Sequence, residues 1–348
     1  MTQGARSQRK FPLRLGWMVL LVLLVAGAFV GWIFLGPATS KGKRGDYLYI
    51  RTGGTYAGVE DSLMAGGFLK SLTPFRWAAK SLSYSGRVRP GRYKIEPGTS
   101  VFMLVRKLRS GAQEPVKLVI NKLRTKGDFA RLIAKNLEAD SASFTRLLED
   151  SAFLAGFGLS PAGALGAAVP ASYELYWNTS ADKAFKKIVA ARTAYWTAAR
   201  KEKAAALGLT PEEVTALAAI VEEETNKADE KGNIASAYLN RLHRGMKLQA
   251  DPTARWAGGD FSIKRITSTQ TGLVHPYNTY YVTGLPPGPI CTPTKGTMNA
   301  VLDAPKTSYL YFCAREDFSG YHRFAATYDE HLKNARLYQQ ALNARGIR

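Results

Sequence analysis

An uncharged stretch over residues 15–36 constrains the fold of this chain more than any other feature. Its 22 residues contain no Asp, Glu, Lys or Arg. As a helix rising about 1.5 Å per residue, it would be about 33 Å long, which is enough to cross the hydrocarbon core of a bilayer. Trp17 and Trp32 lie near its two ends, where aromatic side chains commonly meet the membrane interfaces. The sequence therefore predicts a transmembrane helix over 15–36.

The residues around this stretch indicate a retained, single-span anchor. A cleavable signal peptide usually has a shorter apolar core followed by a small-residue cleavage site, and neither is clear here. Basic residues flank the stretch: Arg6, Arg9, Lys10 and Arg14 before it, and Lys41, Lys43 and Arg44 after it. The first group favours a cytoplasmic N-terminus, and the second weakens that signal. We expect a basic cytoplasmic tail over 1–14 and an extracytoplasmic part over 37–348.

The charge of the chain indicates an anionic neighbour. The net charge is +21, and residues 1–44 contribute seven basic groups and no acid, so the remainder is still at +14. Such a surface suits lipid head groups, a cell-wall polymer or nucleic acid. The predicted position outside the membrane argues against nucleic acid as a partner.

Two regions follow the predicted helix, and 46% hydrophobic content is enough for one large or two modest cores. Residues 37–45 are typical of a polar linker. Residues 46–112 combine short strands and helices, with helices predicted near 57–64 and 73–80. From the pattern alone, this small unit is either a glycan-binding module or a spacer, and the spacer is favoured. Residues 113–348 are mainly helical with short strands, including a long helix from 181 to about 207 and a strand over 307–314.

The clearest helix signals begin at Thr210. Thr210 can cap the helix, Pro211 suits its first position, and Glu213 can complete a capping box. Apolar residues then recur with helical spacing on one predicted face: Val214, Leu217, Ala218 and Val221.

Three consecutive glutamates end this helix and cannot all point the same way. At about 100° per residue, Glu222 and Glu223 point away from the apolar stripe and Glu224 falls on its flank. A carboxyl group there can lie in a cleft where desolvation raises its pKa. The alternative is a frayed, solvated acidic helix end. We favour the cleft.

The remaining motifs narrow the chemistry. The sequence contains no HExxH, CxxC, G-x-S-x-G or glycine-rich phosphate loop, so we expect neither a metal nor a cofactor. Cys291 and Cys313 could form a disulfide or remain thiols. Glu224 could protonate a glycosidic oxygen, as a glutamate in a partly apolar site does. An ordinary hydrolase would need a second carboxylate, for which Asp251 is the best candidate, although Asp251-Pro252-Thr253 is more typical of a turn.

Seven motifs, in order along the chain, resemble those of the endolytic murein transglycosylase family, also called YceG-like. They are LAAIVEEET at 217–225, NRL at 240–242, GMKLQADPT at 245–253, YNTY at 277–280, TGLPPGPI at 283–290, YLYF at 309–312 and HRF at 322–324. In that family the catalytic acid is the Glu before Thr in an E-x-E-T motif, which is Glu224 here. One departure is YELYWNT at 173–179, where Asn178 replaces an acidic residue and the adjoining wall of the cleft could differ.

The resemblance implies a bacterial enzyme that cuts between N-acetylmuramic acid and N-acetylglucosamine inside peptidoglycan strands. Glu224 would protonate the leaving oxygen and then accept the proton of the muramyl C6 hydroxyl, leaving a 1,6-anhydro end. Seven motif positions would bind the sugars: Gln249, Asp251, Tyr277, Asn278, Thr279, Tyr280 and His322. Glu222 is a secondary acidic candidate. The resemblance also implies a LysM-like module over 46–112, an inner-membrane location with a periplasmic catalytic part, and peptidoglycan synthases as partners.

We therefore expect an α+β protein: one transmembrane helix, a small LysM-like module and a mainly helical catalytic domain over 113–348. Two other functions stay open from the sequence. The chain could be a non-catalytic scaffold that binds the cell wall, or a hydrolase that uses Asp251 as its second carboxylate.

Overall fold

The computed structural model of the protein describes residues 13–263 and 265–346, so most of the predicted cytoplasmic tail lies outside the described residues. The described chain divides into two compact units. The first unit runs to Val116 and takes in Tyr176–Asn178, and the second comprises Lys117–Leu175 and the residues from Thr179 onward.

Helices and short strands alternate along the described chain. The helices are α1 (Leu13–Leu35), α2 (Tyr56–Ala65), α3 (Thr73–Ser81), α4 (Val101–Ser110), α5 (Lys126–Asn136), α6 (Ser141–Glu149), α7 (Ser151–Ala155), α8 (Ala181–Tyr195), α9 (Ala198–Ala206), α10 (Pro211–Glu224), α11 (Lys231–His243), α12 (Asp251–Gly258), α13 (Ser268–Thr271), α14 (Lys295–Leu302) and α15 (Tyr328–Ala344). The strands are β1 (Tyr47–Ile50), β2 (Gly91–Lys94), β3 (Val116–Ile120), β4 (Ala171–Leu175), β5 (Tyr311–Ala314) and β6 (His322–Ala325). They pair as β1–β2, β3–β4 and β5–β6. The predicted α+β class is confirmed.

The first unit begins with the apolar helix α1. The window Gly16–Leu35 has a mean hydropathy of 2.8, is not buried against the protein, and has the length and composition of a membrane span. The segment after it, expected to be a linker, is hydrogen-bonded into the unit: Thr39 N donates to Thr99 O at 3.1 Å, and Ser40 N donates to Phe68 O at 2.9 Å. The antiparallel strands β1 and β2 and the helices α2 to α4 enclose a separate hydrophobic core.

The core of the second unit forms around α10. Thr210 caps this helix in the predicted capping box with Glu213. The predicted single apolar face is too narrow, because every residue over 214–221 is buried. Helices α9, α11, α12 and α14 contact α10. A helix that is enclosed in this way positions its last residues rigidly, because its packed neighbours leave no room for fraying.

The long helix predicted over 181–207 was wrong, because it is broken into α8 and α9. Thr197 lies at the break in an extended conformation, and its hydroxyl accepts a hydrogen bond from Arg200 N at 3.4 Å. A threonine that caps a new helix competes with continuation of the preceding one. Helical spacing on both sides hid this break in the sequence.

The predicted strand over 307–314 was also wrong in length. Only β5, Tyr311–Ala314, pairs with β6. The preceding backbone is held by α11 instead, because Asn240 Nδ2 donates to Thr307 O and to Tyr309 O, both at 2.9 Å. A side chain from a distant helix thus takes the place of a strand partner.

The turn predicted at Asp251-Pro252-Thr253 was wrong as well, because these residues form the first turn of α12. Pro252 fits there, since the first turn of a helix does not need its missing N–H. Thr253 is buried and donates to Ala250 O at 2.7 Å. The acidic side chain of Asp251 is left at the start of a helix, where it faces a cavity.

Candidate active site

The end of α10 opens into a cavity of about 400 Å³. Glu224 is the last residue of α10, and the next residue, Thr225, is buried in an extended conformation. Side chains from α11, α12, the loops after them and the β5–β6 hairpin complete the cavity. Its lining consists of Glu224, Tyr238, Arg241, Leu248, Gln249, Asp251, Tyr280, Leu310, Tyr311, Phe312, Cys313, Ala314, His322 and His331.

The Glu224 carboxyl group is held by a neutral donor. Tyr238 on α11 donates its hydroxyl hydrogen to Glu224 Oε1 at 2.5 Å. Burial raises the pKa of Glu224 from 4.5 to about 7, and the negative charges of Asp251 and Glu223 add to this rise. The Tyr238 hydrogen bond and the charge of Arg255 oppose it. The carboxyl group can therefore carry a proton near neutral pH and release it, which is what a general acid and base requires.

The two preceding glutamates are paired with cations. Glu222 Oε2 lies 3.1 Å from Lys231 Nζ and also accepts from Thr297 Oγ1. Glu223 lies 2.9 Å from Lys122 Nζ and 3.3 Å from Arg124 Nη2. Burial alone would raise the pKa of both carboxyl groups, but these partners lower it below the ordinary value. Both side chains therefore act as structural anions in this arrangement.

Asp251 and Gln249 face the same cavity from the segment that enters α12. Tyr280 donates its hydroxyl hydrogen to Asp251 Oδ1 at 2.6 Å. Gln249 has a positive φ of 53° and accepts from Arg241 Nη1 at 3.2 Å through its Oε1. A left-handed conformation at a residue other than Gly is uncommon and is maintained here by the surrounding bonds. The loop thereby presents both polar side chains on one wall.

The β5–β6 hairpin supplies His322 from the opposite side. His322 is the first residue of β6 and pairs with Ala314 of β5. Its ring packs edge-on against Phe312, with 5.5 Å between the ring centroids. Its Nδ1 lies 3.0 Å from Glu230 Oε2. The ring is thus fixed by an aromatic contact and by a carboxylate.

The structure brings some of the predicted site residues together. Gln249, Asp251, Tyr280 and His322 line the cavity with Glu224, although these residues are spread over positions 224–322 of the sequence. Their individual roles in sugar binding stay predictions. Glu222, in contrast, points to Lys231 and the start of α14 and is not among the described residues that line the cavity.

The other predicted positions lie behind the cavity wall. Asn278 is buried, and its Nδ2 donates to three carbonyl oxygens, those of Gln270, Thr271 and Leu273. Thr279 is also buried and is hydrogen-bonded to Thr253. Tyr277 stacks on Trp256, with 4.0 Å between the ring centroids. These three side chains hold the loop that carries Tyr280, which is a structural contribution to the site.

Sequence reasoning missed Tyr238 and Arg241. In the sequence, Tyr238 recurs at helical spacing with Ile234, Ala235 and Leu242, which is typical of an apolar helix face, and only the fold places its hydroxyl on Glu224. Arg241 is 8% exposed and donates to Leu310 O at 2.7 Å and to Leu248 O at 2.8 Å. Its bonds connect the loop before α12 to the hairpin. The NRL motif at 240–242 was the one signal in the sequence that could have drawn attention to it.

Neither a metal cluster nor a disulfide is present in the part of the chain that the structure describes. Over 13–263 and 265–346, no three His, Cys, Asp or Glu side chains are grouped as metal ligands would be. Cys291 and Cys313 are both free thiols, the first buried and the second partly exposed. The disulfide that the sequence left open is therefore not formed.

Residues 48–337 match the sequence model of the YceG-like family. The chain is 27% identical to the endolytic murein transglycosylase of Bacillus subtilis (strain 168), with 92% of each protein covered. It is 24% identical to the endolytic murein transglycosylase of Streptococcus pneumoniae serotype 2, covering 92% of this chain and 64% of that protein. The crystal structure of a YceG-like protein from Listeria monocytogenes superposes with a TM-score of 0.56 at 25% identity, covering 82% of this chain and 97% of that one.

Proposed function

The chain belongs to the YceG-like family, and we propose that it is an endolytic murein transglycosylase with Glu224 as its catalytic acid. It cleaves the glycan strands of peptidoglycan, as the names of its relatives describe. One observation carries the assignment of the acid: Glu224 is the carboxyl group at the cavity whose pKa is raised by burial, to about 7. The neighbouring Glu222 and Glu223 are neutralised by cations.

The first step is proton transfer to the leaving oxygen. Tyr238 occupies Glu224 Oε1, so the acidic proton belongs on Oε2. This proton passes to the glycosidic oxygen between N-acetylmuramic acid and N-acetylglucosamine as the bond from that oxygen to the muramyl C1 breaks. Positive charge develops at C1, and the carboxylate formed at Glu224 stabilises it in an enclosed site where electrostatic interactions are strong.

The second step closes a ring within the substrate. The muramyl C6 hydroxyl attacks C1, a C6–O–C1 bond forms, and the hydroxyl proton goes to the Glu224 carboxylate. The enzyme returns to its protonated state, no water is consumed, and the strand ends in 1,6-anhydro-N-acetylmuramic acid. One carboxyl group is sufficient because it serves as acid and then as base, and the intramolecular nucleophile is already in place.

The remaining parts of the proposal concern location and substrate capture. α1 anchors the chain in the bacterial inner membrane with the catalytic unit on the periplasmic side, so that it acts on new strands beside peptidoglycan synthases. The hydropathy of Gly16–Leu35 supports an anchor. Residues 46–112 of the first unit form a LysM-like module that binds glycan, and the strand–helix–helix–strand order of β1, α2, α3 and β2 supports this.

One observation keeps a second function, a hydrolase with two carboxylates, as the alternative. Asp251 lines the same cavity as Glu224, so a hydrolase with two carboxylates is the alternative. In that reaction Asp251 would act as the nucleophile or activate water, and the product would have a reducing end. The Tyr280 hydroxyl already donates to Asp251 Oδ1, which supports a binding role for this carboxylate instead.

Digestion of uncrosslinked glycan strands by the full-length protein in detergent tests these functions. Mass spectrometry of the products identifies the new ends, with Glu224→Gln and Asp251→Asn digested in parallel. We expect internal cleavage, anhydro ends, and no products from Glu224→Gln. Reducing ends that depend on both carboxylates would establish the hydrolase. Absence of cleavage by the wild-type protein would leave a scaffold that only binds the cell wall.

A further inference from the structure

Glu230 has an arrangement that the reaction described above does not use. It is the residue before α11, and its side chain is 8% exposed. Its two carboxylate oxygens accept two bonds from one residue: Oε1 from the backbone N–H of His322 at 2.7 Å, and Oε2 at 3.0 Å from His322 Nδ1. It does not cap its own helix. Both oxygens of this nearly buried carboxylate are thus hydrogen-bonded to His322 and fix its position.

We infer that Glu230 is a positioning residue: it holds His322 with a proton on Nδ1, so that Nε2 is a hydrogen-bond acceptor for a hydroxyl or amide hydrogen of the glycan. An ionised carboxylate only accepts hydrogen bonds, so the ring nitrogen that meets it must be the donor. In a neutral imidazole the other nitrogen then carries the lone pair. This inference rests on the proposed glycan substrate. It states that, in the hydrogen bond between His322 and the glycan, the glycan is the donor and His322 is the acceptor.

The partners of the ring support a cavity-facing Nε2. Nδ1 is bonded to Glu230 at the start of α11, whereas His322 itself lines the cavity, so we place the other ring nitrogen on the cavity side. Phe312 covers the ring from the side. Tyr321, the residue before His322, makes a similar contact, because its Oη lies 3.5 Å from Asp229 Oδ1. Two adjacent residues of the hairpin are thereby attached to two adjacent residues before α11.

A neutral acceptor at this point has an electrostatic consequence for Glu224. A second carboxylate would add negative charge beside the acid, as Asp251 already does, and an imidazolium would add positive charge. In the proposed tautomer, Nε2 accepts a hydrogen bond from a sugar hydroxyl or acetamido N–H and adds no formal charge beside Glu224. The proposal thus places substrate recognition at His322 and proton transfer at Glu224.

The decisive variant is Glu230→Gln, which has the same shape but a different hydrogen-bonding pattern. Gln Oε1 can still accept from the His322 backbone N–H, and its amide N–H₂ then meets Nδ1 as a donor. This moves the ring proton to Nε2, so that a donor faces the cleft. The matched control is Glu316→Gln, which breaks a partly exposed ion pair with Arg323 on the same hairpin and leaves the bonds between Glu230 and His322 in place.

The tautomer is measured by NMR on full-length protein labelled with ¹³C,¹⁵N-histidine in detergent. Among the four histidines, the His322 signals are assigned by their loss in His322→Asn. We expect the Nδ1–H tautomer in the wild-type protein and in Glu316→Gln, and the Nε2–H tautomer in Glu230→Gln. An Nε2–H ring in the wild-type protein would overturn the inference.

The same variants are then compared on glycan strands. We expect kcat/KM to fall about 10- to 100-fold in Glu230→Gln, as when a buried hydrogen bond is replaced by two opposed donors, mainly through KM. Glu316→Gln should cleave like the wild-type protein. If Glu230→Gln changes the tautomer but leaves KM unchanged, Nε2 does not contact the glycan and the inference fails, while the proposed function stands.

A failure of the proposed function gives a different result. If the wild-type protein does not cleave glycan, titration of uncrosslinked strands into the labelled protein still decides the inference. A shift of the His322 Nε2 signal in the wild-type protein that is lost in Glu230→Gln supports it, and no shift in either protein overturns it.

Discussion

The three glutamates that end α10 lie on two sides of the helix, Glu222 and Glu223 on one and Glu224 on the other. The two sides differ more in the groups that contact the carboxylates than in how deeply the carboxylates are buried. On one side, Glu222 and Glu223 have side chains that are only 10% and 11% exposed, yet Lys231, Lys122 and Arg124 hold the pKa of both below the ordinary value. On the other side, Glu224 receives a hydrogen bond from the neutral Tyr238, and its burial raises the pKa to about 7. Burial therefore raises the pKa of a carboxyl group at this helix end only where no cation forms an ion pair with it.

The largest effect is expected from removing the carboxyl group on the cavity side alone. Glu224→Gln should lower the initial rate of glycan cleavage by about 1,000-fold or more, because general acid–base catalysis contributes factors of this order and the proposed mechanism uses Glu224 in both steps. Glu223→Gln is the matched change on the paired side, and its rate should stay within about threefold of the wild type, since the charge of Glu223 makes only a small contribution to the raised pKa of Glu224. Equal losses of cleavage rate in the two variants would contradict the assignment of the acid to Glu224 alone. The measurement is the rate of formation of new strand ends by mass spectrometry.

The next effect concerns stability on the paired side. Lys231→Met should destabilise the protein by about 3–5 kcal/mol, because it leaves the Glu222 charge enclosed without its cation. The shift of the denaturation midpoint measures this loss. The control is Lys203→Met, which breaks an ion pair with Asp303 whose side chains are 51% and 57% exposed and should cost less than about 1 kcal/mol. Similar losses of stability in both variants would show that burial of the ion pair does not determine its contribution.

A pH-dependent effect is expected on the cavity side. Burial raises the pKa of Glu224 from 4.5 to about 7, so the folded state binds this proton more tightly than the unfolded state. The resulting stability is fully present below pH 4.5 and is lost as pH rises through about 7. Across this window the wild-type protein should lose about 3 kcal/mol relative to Glu224→Gln. Denaturation of both proteins at several pH values tests this, and a constant difference would contradict the raised pKa.

The smallest effect is expected from removing the Tyr238 hydroxyl, which donates to Glu224. Burial raises the pKa of Glu224, and the Tyr238 hydrogen bond opposes the rise, so Tyr238→Phe should raise this pKa further. The alkaline limb of the kcat/KM profile should move up by about one pH unit, the worth of one hydrogen bond to a charged group. Tyr195→Phe, which removes a hydroxyl bonded to Asn299 at 2.9 Å, should leave the limb in place. A downward shift in Tyr238→Phe would reverse the assigned role of this hydroxyl.

Features that depend on a few neighbouring residues were predictable. The apolar helix α1 and the capping box at Thr210 follow from residues within one or two turns. The break at Thr197 is equally local in its chemistry, but helical spacing on both sides concealed it. For Asp251, a proline after an acidic residue suits a turn and a first helical turn equally, so only the packing of α12 distinguished them.

The sequence by itself determined which glutamate flanks the apolar stripe of α10, because the helical period fixes the direction of each side chain relative to its neighbours. The tertiary structure alone decided what each carboxyl group meets. Lys122 precedes α5, whereas Glu230, Lys231 and Tyr238 lie at the start of α11 or on it. None of the four lies within one helical turn of the group it contacts. Periodicity describes directions within one element, whereas a pKa depends on charges and donors within a few ångströms, which only the packed chain brings together.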